Sequence, residues 1–265
     1  MKDNQNRANP LKLALIQFDI IWENSDENLK MIAALLENLT NQPDVIVLPE
    51  TFNTGFSMEP SKVAESMHGK TIEWMKELST KMQCAVCGSL FIEEDRKYFN
   101  RFIWVEPDGK IVQYDKRHLF SMGNESQHYT AGKTQTVIEY KGWRIFPQIC
   151  YDLRFPVWSR NTMNYDLLIN VANWPASRNK VWKTLLKARA IENQCYVAAL
   201  NRLGTDGNGI NYIGNSMITG PKGEVLMKAK SKSGILNAEI DFTELQQFRS
   251  KFNTLKDADT FNILP

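Results

Sequence analysis

The stretch Arg144-Ile-Phe-Pro-Gln-Ile-Cys-Tyr-Asp-Leu-Arg-Phe-Pro-Val-Trp158 runs from apolar residues typical of a buried strand into a turn that opens a helix. Cys150 stands at the junction, where a strand-to-helix elbow points a side chain out of the sheet. The free amide groups and the positive dipole end of a following helix favour thiolate over thiol. Most free cysteines, however, are buried as small apolar side chains. The elbow therefore predicts a candidate nucleophile whose role depends on its neighbours.

Strands and helices alternate on both sides of this elbow. Short apolar segments that end at turn residues predict strands at 11–20, 45–48, 84–90, 143–150, 166–171, 196–200, 215–219, 224–228 and 235–240. Apolar residues at helical spacing predict helices from Asn24, at 71–82 and at 179–193. The predicted apolar faces are Leu29, Ile32, Ala33, Leu36 and Leu39 in the first helix, Ile72, Met75, Leu78 and Met82 in the second, and Val181, Leu185, Ala188 and Ile191 in the third.

The middle of the chain predicts strands without intervening helices. Turn signals at Glu94-Asp95-Arg96 and Glu106-Pro-Asp-Gly109 divide the segment 91–115 into hairpins, which indicates an antiparallel part of a mixed sheet. Two sheets packed face to face would bury this many apolar strands in one domain. The predicted fold is therefore α/β, a single-domain α-β-β-α four-layer sandwich with two mixed sheets face to face and helices outside. A polar N-terminal extension precedes it at residues 1–10.

The composition excludes several classes of partner. The 265 residues carry 32 basic and 30 acidic side chains, a formal charge of +2, mixed along the chain. This mixture offers no basic stripe for nucleic acid or for a membrane surface. No apolar run reaches the roughly 18 residues of a membrane span, and the polar first ten residues do not resemble a signal peptide. Four cysteines do not make a disulfide framework in a chain of this length, so a cytoplasmic protein is expected.

Neither the two closely spaced cysteines nor the three histidines predict a metal or redox site. Cys84 and Cys87 have the spacing of a redox or zinc pair, but a strand directs residues i and i+3 to opposite faces, so their sulfurs should diverge. His68, His118 and His128 lack metal-ligand spacing. No metal site is therefore expected, and a thiol-disulfide redox protein is an alternative that depends on the two cysteines alone.

Three reactive side chains each follow directly on a predicted strand: Glu50, Lys116 and Cys150. The carboxyl edge of a sheet is where α/β folds build their sites. Taken singly, Glu50 could be a solvated loop acid and Lys116 a surface lysine. Together, the thiolate could attack a carbonyl carbon, the carboxylate could carry the thiol proton to a departing amine, and the ammonium could stabilise the oxyanion. The shared setting therefore favours acyl transfer.

The motifs around these residues resemble a known family. Leu-Pro-Glu50-Thr-Phe, Tyr-Asp-Lys116-Arg-His-Leu-Phe and Cys150-Tyr-Asp-Leu-Arg-Phe-Pro are similar, in this order, to the Glu, Lys and Cys motifs of the nitrilase superfamily of carbon-nitrogen hydrolases. The resemblance runs from about residue 11 to residue 240, and implies one carbon-nitrogen hydrolase domain at 11–265 that includes a C-terminal tail at 250–265. It implies amide hydrolysis through a thioester intermediate, without a metal or organic cofactor.

The same resemblance implies roles for single residues. Glu50 resembles the general base, Lys116 the oxyanion stabiliser and Cys150 the nucleophile. Glu125 resembles a second glutamate that positions the substrate and the lysine. The backbone N–H of Tyr151 would complete the oxyanion hole.

Three further segments look most like the bacterial omega-amidases, the 2-oxoglutaramate amidases: 53–58, Cys150 to Asn161, and Asn173-Trp-Pro-Ala176. This similarity implies hydrolysis of the terminal amide of an α-keto acid, 2-oxoglutaramate to 2-oxoglutarate or 2-oxosuccinamate to oxaloacetate, with release of ammonia. Other branches of the superfamily remain alternatives, namely a deaminated glutathione amidase, an N-carbamoyl amino acid hydrolase or a nitrilase. Outside the enzymes, the alternative is a catalytically silent binding scaffold.

A substrate carboxylate requires a cation other than the catalytic lysine. Arg154, in the first turn after the nucleophile, is the candidate because a guanidinium grips a carboxylate bidentately. An ion pair between Arg154 and Asp152 is an equal alternative. Phe56, Trp174 and His128 are candidate walls of the pocket, although aromatic residues near a site more often serve packing.

The family resemblance also implies a homodimer, because members usually pair through the helices near the nucleophile and through the C-terminal strands. The tail carries apolar residues that could pack across such an interface or against their own subunit: Phe252, Leu255, Phe261, Ile263 and Leu264. The alternatives differ in whether these side chains are covered within one subunit.

Overall fold

The computed structural model describes residues 10–263, so the predicted extension, apart from Pro10, and Leu264 of the tail lie outside the described residues. Fourteen strands are present within that range. They are β1 Leu11–Gln17, β2 Val45–Val47, β3 Ala85–Glu94, β4 Lys97–Val105, β5 Ile111–Asp115, β6 Ile138–Tyr140, β7 Trp143–Ile149, β8 Leu167–Ala172, β9 Tyr196–Asn201, β10 Leu203–Thr205, β11 Asn211–Ile213, β12 Met217–Thr219, β13 Val225–Lys228 and β14 Gly234–Ile240.

The helices include three long ones and several single turns. They are α1 Ser25–Leu36, α2 Pro60–Val63, α3 Lys70–Met82, α4 Glu125–His128, α5 Pro156–Ser159, α6 Asn179–Asn193 and α7 Phe242–Lys251, with 3-10 helices at Ser121–Gly123, Cys150–Arg154, Ala176–Arg178 and Thr254–Asp257. The predicted start of α1 is confirmed, because the side chain of Asn24 accepts the backbone N–H of Glu27 at 3.2 Å. No helix in residues 10–263 is both long enough and apolar enough to cross a bilayer.

The strands form two mixed sheets, as predicted. The first has the order β14-β1-β2-β3-β4-β5, in which β2 pairs in parallel with β1 and β3 and the other pairs are antiparallel. The second has the order β13-β12-β9-β8-β7-β6, in which β8 pairs in parallel with β7 and β9. The predicted hairpins in the middle of the chain are confirmed as β3-β4-β5. Strands β10 and β11 form a separate hairpin that the pattern does not predict.

The sheets face each other across a central core, with helices on the outside. Trp104 of β4 contributes to this core from the first sheet, and its ring meets that of Tyr140 of β6 edge-on with centroids 5.3 Å apart. Helices α1 and α3 cover the outer face of the first sheet through residues such as Ile32 and Ile72. Helix α6 covers the second sheet. The four-layer α-β-β-α prediction is therefore confirmed.

Helix α6 buries a different face from the predicted apolar one. Val181 and Ile191 are 36% and 53% exposed, whereas Trp182, Leu186 and Arg189 are buried. The buried face combines apolar side chains with polar ones that bind neighbouring loops, since Arg189 donates to the carbonyl of Leu153 at 2.6 Å. Apolar periodicity alone does not indicate such a mixed face. The periodicity of α6 therefore favoured the outer face, which carries Val181 and Ile191.

Candidate active site

The ends of three strands bring the predicted catalytic residues to one edge of the sandwich. Glu50 lies just beyond β2, Lys116 directly follows β5, and Cys150 directly follows β7. Cys150 and Thr51, the residue after Glu50, have left-handed backbones with φ of 44° and 45°. This conformation is uncommon for residues other than glycine, and strained residues of this kind cluster at functional sites.

Lys116 is buried between two carboxylates. Its Nζ donates to Glu50 Oε1 at 2.9 Å and to both carboxylate oxygens of Glu125 at 3.0 Å. Burial opposes the ammonium charge, but Glu125 and Glu50 raise the pKa of Lys116 above its usual value. Burial also raises the pKa of Glu125, although the charge of Lys116 opposes that shift. Lys116 therefore stays protonated and can place its charge beside a developing oxyanion.

The carboxylate of Glu50 accepts hydrogen bonds on both oxygens. Oε1 accepts from Lys116 Nζ and from Asn100 Nδ2, each at 2.9 Å. Oε2 accepts from the backbone N–H of Asn173 at 2.7 Å and from Asn173 Nδ2 at 3.2 Å. Glu50 is also fully buried. A carboxylate fixed in this way has a defined position from which to take and return a proton.

Asn100 was not identified by sequence reasoning. Its Nδ2 donates to Glu125 Oε1 at 3.3 Å as well as to Glu50, so one amide bridges the two glutamates. The available signal is weak: Asn100 and Arg101 are two buried polar residues within the apolar strand β4. Asn173 appeared only as part of a motif, and no role for its backbone N–H could be derived from that motif.

The surroundings of Cys150 favour the protonated thiol over the thiolate. Sγ donates to the carbonyl of Asn173 at 3.8 Å. Burial raises the pKa of Cys150 well above its usual value, and the charge of Glu50 raises it further, whereas Lys116 lowers it. The prediction that a helix dipole favours the thiolate is therefore wrong. The following helix is a five-residue 3-10 helix, too short for a strong dipole, and carboxylates lie nearby.

Asp152 links the elbow that carries the thiol to the loop that carries the lysine. On the elbow, its Oδ2 accepts the backbone N–H of Ile149 at 3.1 Å. On the loop, Oδ2 accepts the hydroxyl of Tyr114 at 2.8 Å, and Oδ1 accepts the backbone N–H of His118 at 2.9 Å. Oδ1 also lies 2.8 Å from His118 Nδ1. One buried carboxylate therefore fixes the two loops relative to each other.

A cavity of 410 Å³ opens onto these residues. Besides Glu50, Lys116 and Cys150, four of the five predicted substrate-binding residues line it: Phe56, Tyr151, Arg154 and Trp174. The fifth prediction, His128 as a wall, is wrong. Glu125 and Tyr129 occupy the buried side of the turn around α4, which leaves His128 exposed and away from the cavity.

Arg154 contacts aromatic rings at the cavity. Its Cζ lies 4.9 Å from the ring centroid of Trp174 and 5.9 Å from that of Tyr151. The ion pair with Asp152, the alternative considered from sequence, is not formed, because the oxygens of Asp152 bind the two loops instead. Within residues 10–263, Arg154 has no acidic partner. Its guanidinium is therefore available to a ligand.

The cysteine pair and the metal-type side chains form no second site among the described residues. Cys84 belongs to the outer core and Cys87 to the central core, so their predicted divergence is confirmed. Burial raises the pKa of Cys84 to about 12 and that of Cys87 well above its usual value, which argues against a redox pair. In residues 10–263, no group of three or more His, Cys, Asp and Glu side chains is placed to hold a metal ion.

Comparison with known proteins identifies the family. Residues 12–250 match the model of the carbon-nitrogen hydrolase family. The chain is 48% identical over 255 residues to the omega-amidase YafV of Yersinia enterocolitica, covering 96% of this chain and 99% of that protein. It is 34% identical over 250 residues to the 2-oxoglutaramate amidase of Bacillus subtilis, covering 92% of this chain and 96% of that one.

A solved structure shows the same relationship. The CN-hydrolase superfamily protein XC1258 of Xanthomonas campestris, which has an arsenic adduct in its active site, superposes with a TM-score of 0.93 at 41% identity. The superposition covers 96% of this chain and 99% of that one. The chain belongs to the carbon-nitrogen hydrolase family, the nitrilase superfamily, and within it to the omega-amidase branch.

Proposed function

We propose that this enzyme hydrolyses the terminal amide of an α-keto acid, 2-oxoglutaramate to 2-oxoglutarate or 2-oxosuccinamate to oxaloacetate, and releases ammonia. The observation that carries the proposal is one cavity lined both by Cys150, Glu50 and Lys116 and by the unpaired guanidinium of Arg154. A thiol beside a base and an ammonium suits an amide carbonyl, and a free guanidinium suits a carboxylate. Likeness to proteins named omega-amidase and 2-oxoglutaramate amidase supports the same substrate class.

In the first half of the proposed reaction, Cys150 Sγ forms a bond to the amide carbon while Glu50 takes the thiol proton. The carbonyl electron pair moves to oxygen, where Lys116 Nζ and the backbone N–H of Tyr151 donate to the oxyanion. Glu50 returns the proton to nitrogen, the C–N bond breaks and ammonia leaves, so the acyl group remains on sulfur as a thioester. The raised pKa of Cys150 fits this order, since the proton leaves only when base and carbonyl are in place.

Water completes the proposed cycle. The oxygen of a water molecule attacks the thioester carbon while Glu50 takes a proton from that water. Lys116 again donates to the oxyanion. The C–S bond then breaks, the acid product forms, and sulfur recovers the proton from Glu50. Glu125 transfers no proton in this scheme. It holds the Lys116 ammonium in place through both oxygens and can orient the substrate amide.

The function is tested by a substrate panel. Purified enzyme is assayed for ammonia release from 2-oxoglutaramate, 2-oxosuccinamate, an N-carbamoyl amino acid and a small nitrile. Deaminated glutathione is assayed by release of its dipeptide, because its amide nitrogen leaves as part of that dipeptide and not as ammonia. We expect the highest kcat/KM on the two keto-acid amides. A preference of tenfold or more for any of the other three compounds would contradict the proposed substrate class while leaving the thioester chemistry open to its own test.

Asp152→Ala should reduce turnover through position rather than through substrate contact. The variant leaves the backbone N–H groups of Ile149 and His118 without their acceptor, so the two catalytic loops can shift. A displacement of about 1 Å in an active site lowers rates by about 100-fold. We expect kcat for ammonia release to fall by about that factor with little change in KM.

Asp152→Asn is the matched variant, because its remaining carbonyl oxygen can still accept from one loop. It should retain more activity than Asp152→Ala at equal folded fraction, measured by circular dichroism. Equal kcat in wild type and Asp152→Ala would show that Asp152 does not position the site.

We also propose a homodimer that uses the outer face of α6. Val181 and Ile191 are exposed on this helix, as is Val157 of the neighbouring α5, at 57%. In the tail, Phe252, Phe261 and Ile263 are exposed as well. An apolar face of this kind on a protein surface marks an interaction site. Its position beside the nucleophile elbow matches the pairing that the family resemblance implies.

Ile191→Glu should convert the proposed dimer into monomers. A carboxylate at the centre of an apolar interface is desolvated without a partner, which is strongly unfavourable. Light scattering should give about twice 30.5 kDa for the wild type and 30.5 kDa for the variant. Ala34→Glu, on the exposed side of α1, adds the same charge elsewhere and should leave the mass unchanged. A dimeric Ile191→Glu protein would exclude this face.

We propose that the enzyme acts in the cytoplasm. Cys84, Cys87, Cys150 and Cys195 are all free thiols. A reducing compartment would keep such thiols reduced. The proposed chemistry requires Cys150 in that state.

A further inference from the structure

The cavity contains a second cation without an acidic partner. Its charged lining residues are Glu50, Lys116, Arg154, Arg178 and Asp206. Glu50 and Lys116 pair with each other. Asp206 accepts the hydroxyl of Tyr212 at 2.8 Å and the backbone N–H groups of Asn208 and Ile210 at 2.9 and 3.0 Å. Among the residues that the structure describes, Arg154 and Arg178 are therefore the lining cations that form no ion pair with a carboxylate.

Trp174 contacts both Arg154 and Arg178. The ring of Trp174 lies 4.9 Å from the Cζ of Arg154, and its Nε1 donates to the backbone carbonyl of Arg178 at 3.0 Å. The guanidinium of Arg178 lies 5.2 Å from the ring centroid of Phe120, whose backbone N–H donates to Glu125 Oε2 at 2.5 Å. Aromatic faces hold a cation without consuming its N–H donors. Both guanidinium groups thus keep donors free while their positions are fixed.

We propose that Arg178 selects a 2-oxo acid over a 2-amino acid at this site, by donating to the ketone oxygen while Arg154 binds the carboxylate. This inference rests on the proposed function and adds a second recognition group to it. A carboxylate needs one bidentate guanidinium. A second free guanidinium at the same cavity therefore points to another acceptor on the ligand, and the ketone oxygen beside the carboxylate is such an acceptor.

The corresponding 2-amino acid presents opposite chemistry to Arg178. Its ammonium group is positively charged and offers only donors, and guanidinium also offers only donors. Like charges at close range disfavour binding, and more so where water is partly excluded. Arg178 would therefore both favour 2-oxoglutaramate and disfavour glutamine, although the two carry the same terminal amide.

The test compares kcat/KM for ammonia release from 2-oxoglutaramate, glutamine and butyramide, a neutral amide that lacks both recognition groups. For Arg178→Met we expect a 10- to 100-fold loss on 2-oxoglutaramate, no loss on glutamine and no change on butyramide, a range typical of one hydrogen bond to a charged group. Arg178→Lys, which keeps the charge without the planar fork, should recover part of the loss. Lys180→Met, an exposed cation just beyond Arg178 that does not line the cavity, should match the wild type on all three compounds.

The outcomes separate the inference from the proposed function. A wild type that does not hydrolyse 2-oxoglutaramate overturns both. A wild type active on 2-oxoglutaramate, with an unchanged ratio of 2-oxoglutaramate to glutamine in Arg178→Met, overturns the inference alone. Equal losses on all three amides would mean that Arg178 supports the fold of the site instead of recognising the ketone, and would overturn the inference as well.

Discussion

Ammonia release should fall by at least about 1000-fold when Cys150 is replaced by alanine, because the variant has no atom that can form the acyl-enzyme bond. The fold should persist. Cys150 is only partly buried at the cavity, and alanine adopts the same backbone, so the free energy of unfolding should change by about 1 kcal/mol or less. Kinetics and thermal unfolding of the same preparation check both expectations.

Cys195→Ala is the matched control, since it removes a cysteine that is buried away from the cavity. It should lose some stability and keep its turnover. Cys150→Ala retaining more than a tenth of wild-type activity would exclude the thioester route. Mass measurement of the intact enzyme during turnover of a slow amide should show the added acyl group in the wild type and none in Cys150→Ala.

The raised pKa of Cys150 predicts that chemical modification of its thiol depends on pH. Because burial and Glu50 raise this pKa above the ordinary value for a thiol, the thiolate fraction at pH 7 is small and increases with pH. The rate of alkylation by iodoacetamide should therefore rise steadily between pH 7 and pH 9. A rate that is already constant across this range would show a resting thiolate and contradict the raised pKa.

The convergence of the three candidate catalytic residues could be predicted from sequence because each is tied to a strand end. Glu50, Lys116 and Cys150 follow apolar strands, and carboxyl edges of strands in one sandwich meet. The hairpins β3-β4-β5 could also be predicted from sequence, because their turns contain residues that favour turns. The sequence therefore predicts the order of strands and turns, and the residues that lie at the ends of the strands.

Side-chain partners across the molecule could not be predicted. Asn100 reaches Glu50 and Glu125 only because β4 lies between their loops, and no local pattern encodes that contact. The prediction that Cys150 is a thiolate failed for a similar reason, because burial and the charge of Glu50, which is distant in sequence, raise the pKa of the thiol. Helix α7 was also missed, although Asp241 caps it by accepting the backbone N–H of Glu244 at 2.9 Å. Its single buried residue, Leu245, left almost no apolar periodicity to detect.

Lys116→Met should abolish activity and also destabilise the fold, which distinguishes it from the cysteine variant. Methionine fills a similar volume but removes the ammonium that lies within 3.0 Å of both Glu50 and Glu125. Breaking a buried ion pair by removing one partner lowers stability by about 3–5 kcal/mol, because the remaining charges are left unpaired. Chemical denaturation measures this loss. Lys110→Met, which removes a half-exposed lysine from its pair with Glu106, should lose at most about 1 kcal/mol.

The pH dependence of Lys116→Met identifies the unpaired charge as the cause. Burial already raises the pKa of Glu125, and Lys116 opposes this shift, so the variant should raise the pKa further. A carboxyl group with a raised pKa in the folded state contributes most to stability below its unfolded pKa of about 4.5, and this contribution is lost as pH rises through the folded value. Stability of Lys116→Met relative to wild type should therefore recover as pH falls toward about 4.5.

Glu125→Gln in the Lys116→Met background removes the unpaired charge of Glu125 without a change of pH. It removes one of the two carboxylates that the methionine leaves unpaired, so the double variant should be more stable than Lys116→Met by about 1–3 kcal/mol, while Glu125→Gln alone should destabilise the wild type. This change of sign is the signature of an electrostatic coupling between two side chains in contact. If Glu125→Gln lowered stability equally in both backgrounds, the loss in Lys116→Met would reflect packing around the methionine. The pairing of Lys116 with Glu125 would then not hold this part of the site together.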